Sequence, residues 1–378
     1  MKQINIYVFL LLIFAVSSGW LYISYSGTLL TYNFSIRAAV VFVLFCSSLL
    51  LCFKYLSHRK QIPLFVFFFI IYFIYTVIIS VARGEILTVI SPAMRQIIYS
   101  IVFLVVYYKG YDSKVFLCLL FSYLILEAVI SFFLERGIFI NGMWRLGGSI
   151  GSANGYAGLF YIVFITSLIY GLERGKHWIF IMFISLGIIY LTGSRSVFFF
   201  SLLVLMGTIF LKSSMFWKLA SLILFTILST YFIGSLDNFT LINRVSQLSQ
   251  GEADNSTLYR LFILNTYLDN VSIIEFFFGI GLNAFPNWFF GITGDQGVAP
   301  HIEFLTILIE GGVIGCGLYM IGCACFLLYV SNRGYNNVIL KMLLWSAPLI
   351  AFLFLNPWYF TGTMLIWAYC SAITLKVR

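Results

Sequence analysis

The sequence predicts an all-α polytopic membrane protein, a single integral membrane domain over residues 1–378 with about twelve transmembrane helices. Composition is the first reason. Of 378 residues, 62% are hydrophobic and 9% charged, whereas soluble domains carry roughly a quarter charged residues. The second reason is a series of apolar runs of the length a bilayer requires, about 20 residues each. The third is the charge in the loops between them. Basic residues crowd every alternate loop, which is the mark of cytoplasmic loops.

The predicted spans start at Ile4, Ser35, Ile62, Thr88, Val115, Tyr156, Trp178, Ser196, Leu219, Ile302, Val338 and Trp358. Lys2, His58 to Lys60, Lys109 to Lys114, Arg174 to His177, Lys212 to Lys218, Arg333 and Lys376 to Arg378 then share one side, with both termini cytoplasmic. Lys2 and the apolar run to Val16 mimic a signal peptide, but eleven further spans favour a retained first helix. All ten lysines fall on the inner side, while eight of the twelve arginines fall on the outer side. Those eight are Arg37, Arg83, Arg95, Arg136, Arg145, Arg195, Arg244 and Arg260. The positive-inside rule accounts for the richer side, not for a poorer side that holds only arginine. Arginine's planar fork grips phosphate with paired hydrogen bonds, where lysine offers a point charge. The outer face therefore reads as built for an anionic phosphate group.

Two outer segments are long, about 135–155 and 237–300, and the second is the one large periplasmic loop. Loops of this length are usually functional. Within it, Ser256 to Phe278 reads as one or two amphipathic helices along the membrane surface, capped by Ser256 or Thr257 and broken at Gly279-Ile280-Gly281. The net charge of +9 suggests nucleic acid at first sight. That reading fails, because the charges sit in short loops and no soluble basic domain exists. All seven cysteines lie in or at the ends of spans, so no disulfide framework is indicated.

Four constellations bear on chemistry. His301 follows Pro300 at the expected start of a helix, where the dipole disfavours imidazolium and leaves the neutral form that a general base needs. A histidine capping an interfacial loop is the plainer alternative. Arg145, Arg195 and Arg260 lie near the membrane boundary, and Arg95 a turn inside its span. A charge there is a functional candidate, or an arginine snorkelling to headgroups. Gly147 to Gly155 is glycine-rich before a helix and could present N–H groups to a phosphate, or be a flexible re-entrant loop. Glu252 and Asp254 form the only close acidic pair in the large loop and read as solvated, so no metal and no cofactor are expected. Glu127, deep in the fifth span, needs a partner that the sequence does not name.

Phe278-Gly279-Ile280-Gly281-Leu282-Asn283, then Pro300-His301-Ile302-Glu303-Phe304-Leu305 and Glu310-Gly311-Gly312-Val313-Ile314-Gly315, resemble the signature of the O-antigen ligase and polymerase superfamily. Gly193-Ser194-Arg195-Ser196 resembles its Ser-Arg element, and Arg145 with Gly148 and Asn154 its Arg-Gly-Asn element. The family often has Asn where this chain has Ile302. The resemblance implies a Gram-negative inner-membrane glycosyltransferase acting at the periplasmic face on undecaprenyl-pyrophosphate-linked glycans, both as donor and as acceptor. It implies His301 as the catalytic residue, Arg195, Arg260, Arg145 and Arg95 as pyrophosphate ligands, and Glu303, Asn154 and Glu310 as candidates for support. A polymerase joins repeat units on the carrier, whereas a ligase moves the chain to lipid A-core. The abundance of Phe (41) and Tyr (24) resembles polymerases, for which a chain-length-regulating partner is plausible. From another class, a lipid-linked oligosaccharide flippase would place more ionisable groups near the midplane than Glu127 alone.

Overall fold

The computed structural model describes residues 2–25, 30–56, 62–110, 114–140, 143–150, 152–175, 177–212, 255–294, 303–332 and 361–375. Eight helices occupy the first part: α1 (Lys2–Tyr25), α2 (Leu30–Leu56), α3 (Leu64–Ala82), α4 (Ile86–Lys109), α5 (Lys114–Phe133), α6 (Ala153–Arg174), α7 (His177–Leu191) and α8 (Arg195–Lys212). Three more follow in the region of the large loop: α9 (Asn255–Asn270), α10 (Ile273–Phe278) and α11 (Phe285–Thr293). The long α12 (Glu303–Asn332) and α13 (Thr361–Thr374) complete the described set.

Among the described residues, five segments are long and apolar enough to cross a membrane: Leu64–Ala82, Val89–Lys109, Lys114–Phe133, Ala153–Arg174 and Phe304–Tyr329. Five shorter apolar helices, within α1, α2, α7, α8 and α13, fall at other predicted spans. The spans predicted from Leu219 and Val338 lie outside the described residues. The chain is thus a multi-pass helical membrane protein.

Its packing follows from lipid as solvent. Large apolar side chains such as Phe53, Phe133 and Phe180 are exposed on the sides of their helices, which in a bilayer meet acyl chains. Lipid is as apolar as leucine, so helices associate by close packing rather than by hydrophobic expulsion. α6 sits at the centre, buried along Tyr156 to Tyr170 among α7, α8 and α13. Between α3 and α12 the device is small-residue packing. A Cβ at Gly311, Gly315 or Gly322 would lie 3.0–3.2 Å from the rings of Tyr72, Tyr75 or Phe69 respectively. The glycines let the two backbones approach and receive the α3 aromatics.

One correction to the all-α expectation falls in the first long outer segment. Strands β1 (Gly137–Ile140) and β2 (Met143–Leu146) form an antiparallel hairpin, pairing Gly137 with Leu146 and Ile138 with Arg145. Gly137 makes room for the Trp144 indole, with which any Cβ there would collide. A four-residue strand is too short to print a clear alternation.

The large loop corrects the reading in detail. Its helix starts at Asn255, so Ser256 and Thr257 lie inside the first turn rather than capping it. The division into two helices comes at Val271-Ser272, where Ser272 caps α10 in a reciprocal box with Glu275. A third helix, α11, carries a proline in its first turn, where the missing N–H does no harm. Ile263, Tyr267, Phe285 and Phe289 pack on Leu305 and Ile309 of α12, giving the loop its own apolar core.

Candidate functional site

Helices α5 to α8 are consecutive and packed together. The end of α5, the start of α6, the end of α7 and the start of α8 therefore meet at one end of the bundle. Arg145 on β2 joins them. Its Nε donates to the carbonyl of Thr192 (2.9 Å), and its Nη2 donates to Oδ1 of Asn154 (3.1 Å). The Thr192 carbonyl lies just beyond the last turn of α7, where carbonyls lack helical partners. The guanidinium stem rests on Gly193, whose φ of +61° shapes the turn into α8. Two N-termini are adjacent, since Asn154 is the second residue of α6 and Arg195 the first of α8. Each helix start contributes partial positive charge. The arrangement gathers positive potential around an exposed amide and a guanidinium, which suits an anionic group.

In the described part of the glycine-rich segment, several groups are committed within the protein. Gly148–Ile150 forms a 3-10 turn with Gly148 and Ser149 buried. Gly148, at φ +53°, lies under the Tyr156 ring. The Ser149 N–H is taken by Oε1 of Glu127 at 2.8 Å, and the Gly155 N–H by Oγ of Ser152 at 3.3 Å. Glu127 also accepts hydrogen bonds from Ser131 Oγ (3.0 Å) and from the Tyr156 hydroxyl. These are its partners. Ser131 is a local partner one helical turn away, but nothing local foretells Ser149 and Tyr156, which stand on other elements.

A second junction unites the Gly-x-Gly and Glu-Gly-Gly motifs. α12 breaks at Gly312 (φ 62°, ψ −170°). The loop supplies donors to carbonyls beside the break. Ile280 N–H bonds Ile309 O at 3.0 Å, and Gly281 N–H bonds Glu310 O at 2.9 Å. The Glu310 carboxylate is buried and receives the backbone N–H groups of Asn283 and Phe285, while its Oε1 has no hydrogen-bond partner. Asn283 takes φ +58°, an unusual value that Asn tolerates better than most residues. Gly279 and Gly312 touch backbone to backbone, and a Cβ on either would strike the other strand.

Arg83, at the end of α3, binds Glu275 of α10 at 2.7 Å. Burial alone would raise the Glu275 carboxyl, but the Ser272 N–H, the Arg83 guanidinium and the Ser272 hydroxyl outweigh it and hold it below the usual range. Burial, aided by the charge of Glu275, pushes the Tyr267 hydroxyl up to about 12.

Of the residues expected from sequence, Arg145 and Asn154 are in direct contact beside the turn that begins α8 with Arg195. The backbones of Arg260 and Glu303 are described, in α9 and at the start of α12. Arg95 on α4 folds back on its own helix, Nε donating to Ser91 O at 3.5 Å. His301, Arg244, Glu252 and Asp254 lie outside the described residues. Among the described residues no three His, Cys, Asp or Glu side chains come together. Glu127 and Ser272 are the residues that sequence reasoning missed in role. The Ser272-x-x-Glu275 spacing was the available signal for the second.

Fold and geometry thus describe a polytopic helical membrane protein with an arginine held between two helix starts and a structured loop docked on a broken helix. Residues 180–320 match the family described as O-antigen ligase, in line with the superfamily that the chain's motifs resemble. The matched stretch contains Arg195, Arg260, His301, Glu303 and Glu310, while Arg95, Arg145 and Asn154 precede it. No curated protein and no solved structure matches the chain.

Proposed function

We propose that the chain is an O-antigen repeat-unit polymerase. It is a glycosyltransferase that joins undecaprenyl-pyrophosphate-linked oligosaccharides at the periplasmic face of a Gram-negative inner membrane. The observation that supports this most directly is the contact of Arg145 with Asn154 and with the turn opening α8 at Arg195, in a chain matched to O-antigen ligase.

In this reading the donor's pyrophosphate is held by Arg195, Arg260 and Arg145, with Arg95 contributing field from α4. An acceptor sugar hydroxyl attacks the donor's anomeric carbon. His301 takes the hydroxyl proton as the new C–O bond forms. The bond from that carbon to pyrophosphate oxygen breaks, and the electron pair leaves on pyrophosphate. Arginines neutralise the departing charge, the task that a metal performs in other transferases. One displacement inverts the anomeric centre. Asn154 orients Arg145, and Glu310 with Glu303 steadies the segment around His301. A chain-length-regulating partner fits this activity.

Ligation to lipid A-core is the second reading, favoured by the name of the matched family, O-antigen ligase. The chemistry is shared and only the acceptor differs. A lipopolysaccharide gel of a deletion strain separates them. A core bearing one repeat unit marks the polymerase. A bare core, with polymer accumulating on the carrier, marks the ligase. An unchanged ladder rejects both, and a full ladder restored by His301→Ala rejects the base.

A further inference from the structure

The charge pattern makes residues 237–300 an extramembrane loop, yet part of it reaches down beside α3. α3 has 19 residues, and at about 1.5 Å per residue it is about 28 Å long, close to the ~30 Å hydrocarbon thickness. Its outer end is marked by Arg83, which holds Glu275. From there the loop descends along the helix. The Tyr75 hydroxyl donates to Phe278 O at 2.9 Å. Leu282 N–H donates to Thr76 O at 3.3 Å, and Ser80 Oγ donates to Leu282 O at 3.3 Å. Thr76 and Ser80 lie six and two residues before Ala82, so Leu282 sits about 3–9 Å below the end of the helix at a rise of about 1.5 Å per residue.

Non-helical backbone is tolerated at such depth only when it is buried in protein. Gly279, Ile280 and Gly281 are all buried, and their N–H groups are bonded to Glu275, Ile309 and Glu310 carbonyls. The flank of this segment is the opposite. Ile273 is 79% exposed, Ile274 73%, Phe277 47% and Phe278 45%. The only ionisable group of α10, Glu275, is turned to a cage of Arg83, Ser272 N–H and Ser272 hydroxyl. α3 beside it exposes Ile74, Ile78 and Val81 at i, i+4 and i+7, a lipid-facing stripe on a membrane-length helix. The exposed apolar face of α10 belongs to a helix tied to α3 by the Arg83–Glu275 and Tyr75–Phe278 contacts.

We infer that Ile273–Asn283 is a re-entrant wedge in the outer leaflet, with Ile273, Ile274, Phe277 and Phe278 docked against lipid acyl chains. The wedge ties the large loop to the bilayer where a lipid-borne substrate would present its phosphate. The inference does not rest on the proposed activity and survives its failure.

Benzoylphenylalanine incorporated at Ile274, at Phe277 or, as a control, at exposed Asp269 tests it in the full chain. The protein is reconstituted in vesicles of phosphatidylethanolamine and phosphatidylglycerol, irradiated and read by intact mass. Lipid adducts at 274 and 277 with none above background at 269 are expected. Cross-linked dimers at 274 and 277 without lipid adducts would assign the face to a second copy and overturn the wedge. Unadducted protein at both positions would overturn it as a water-exposed face. Phe277 replaces ring with ring, so folding is preserved there, and comparable extraction yield with wild type verifies it.

Discussion

Glu127 in the middle of α5 accepts the backbone N–H of Ser149 at 2.8 Å, tying a buried carboxylate to the turn that precedes α6. That turn sets Asn154 against Arg145. The link makes a buried carboxyl group in one helix the support for an arginine in an outer hairpin.

Glu127→Ala should therefore strand a buried N–H and two hydroxyls, destabilising by about 1–3 kcal/mol for the backbone donor alone. Glu127→Gln keeps an acceptor for Ser149 and should retain most stability. Thermal unfolding in detergent checks this, and equal melting of Ala and Gln variants would remove the supporting role.

Arg145→Lys should behave nearly as Arg145→Ala. A lysine has one nitrogen where Arg145 uses Nε for the Thr192 carbonyl and Nη2 for Asn154, so it lacks the planar fork that spans both acceptors with donors to spare. If Arg145 holds the leaving group, turnover drops about 10²-fold, the scale of losing one preorganised donor. Asn154→Ala should be milder. Polymer formation from lipid-linked donor in vesicles measures all three, and full activity of the lysine variant would refute the paired-bond argument.

Gly312→Ala should be severe. It forces a side chain into φ +62° and against the Gly279 backbone, where strain of this kind costs on the order of 1–3 kcal/mol. Gly317→Ala, five residues on, meets nothing within 4 Å and should be silent. Expression and melting of the pair decide it. Comparable melting of the two would mean that the break in α12 is not held by the loop.

The Arg83–Glu275 contact should be pH-sensitive. The folded Glu275 carboxyl lies below its ordinary value, which is about 4.3 when unfolded. Its stabilisation is complete above the unfolded value and is lost as pH falls through the folded one. Arg83 is 36% exposed, so solvent screening keeps the effect to about 1 kcal/mol or less. Limited proteolysis of the loop between pH 6 and 3 should show earlier opening in wild type than neutral-pH stability implies, and a flatter profile in Arg83→Gln. Identical profiles would count against the ion pair.

Hydropathy and loop charge were enough to locate α1 to α8, α12 and α13, because membrane spans are specified by local composition over about 20 residues. The Gly279 break in the loop was legible for the same reason, glycine being a local conformational signal. The motif order was legible as resemblance, and the family match at 180–320 agrees with it. Pairing across sequence was not legible. Glu127 reaches Ser149 across 22 positions, and Tyr75 reaches Phe278 across 203.

The sequence by itself determined which segments are long, apolar helices, which loops carry arginine and where the loop helix must break. Each of these is set by a residue and its near neighbours. Only the tertiary structure decided that the glycine-rich turn is pinned by Glu127 and that Arg145 meets Asn154. It also decided that the Gly-x-Gly segment descends beside α3 to fill the break in α12. Those outcomes depend on satisfying buried carbonyls, N–H groups and a carboxylate in a medium without water, and the partners that do so are chosen by packing.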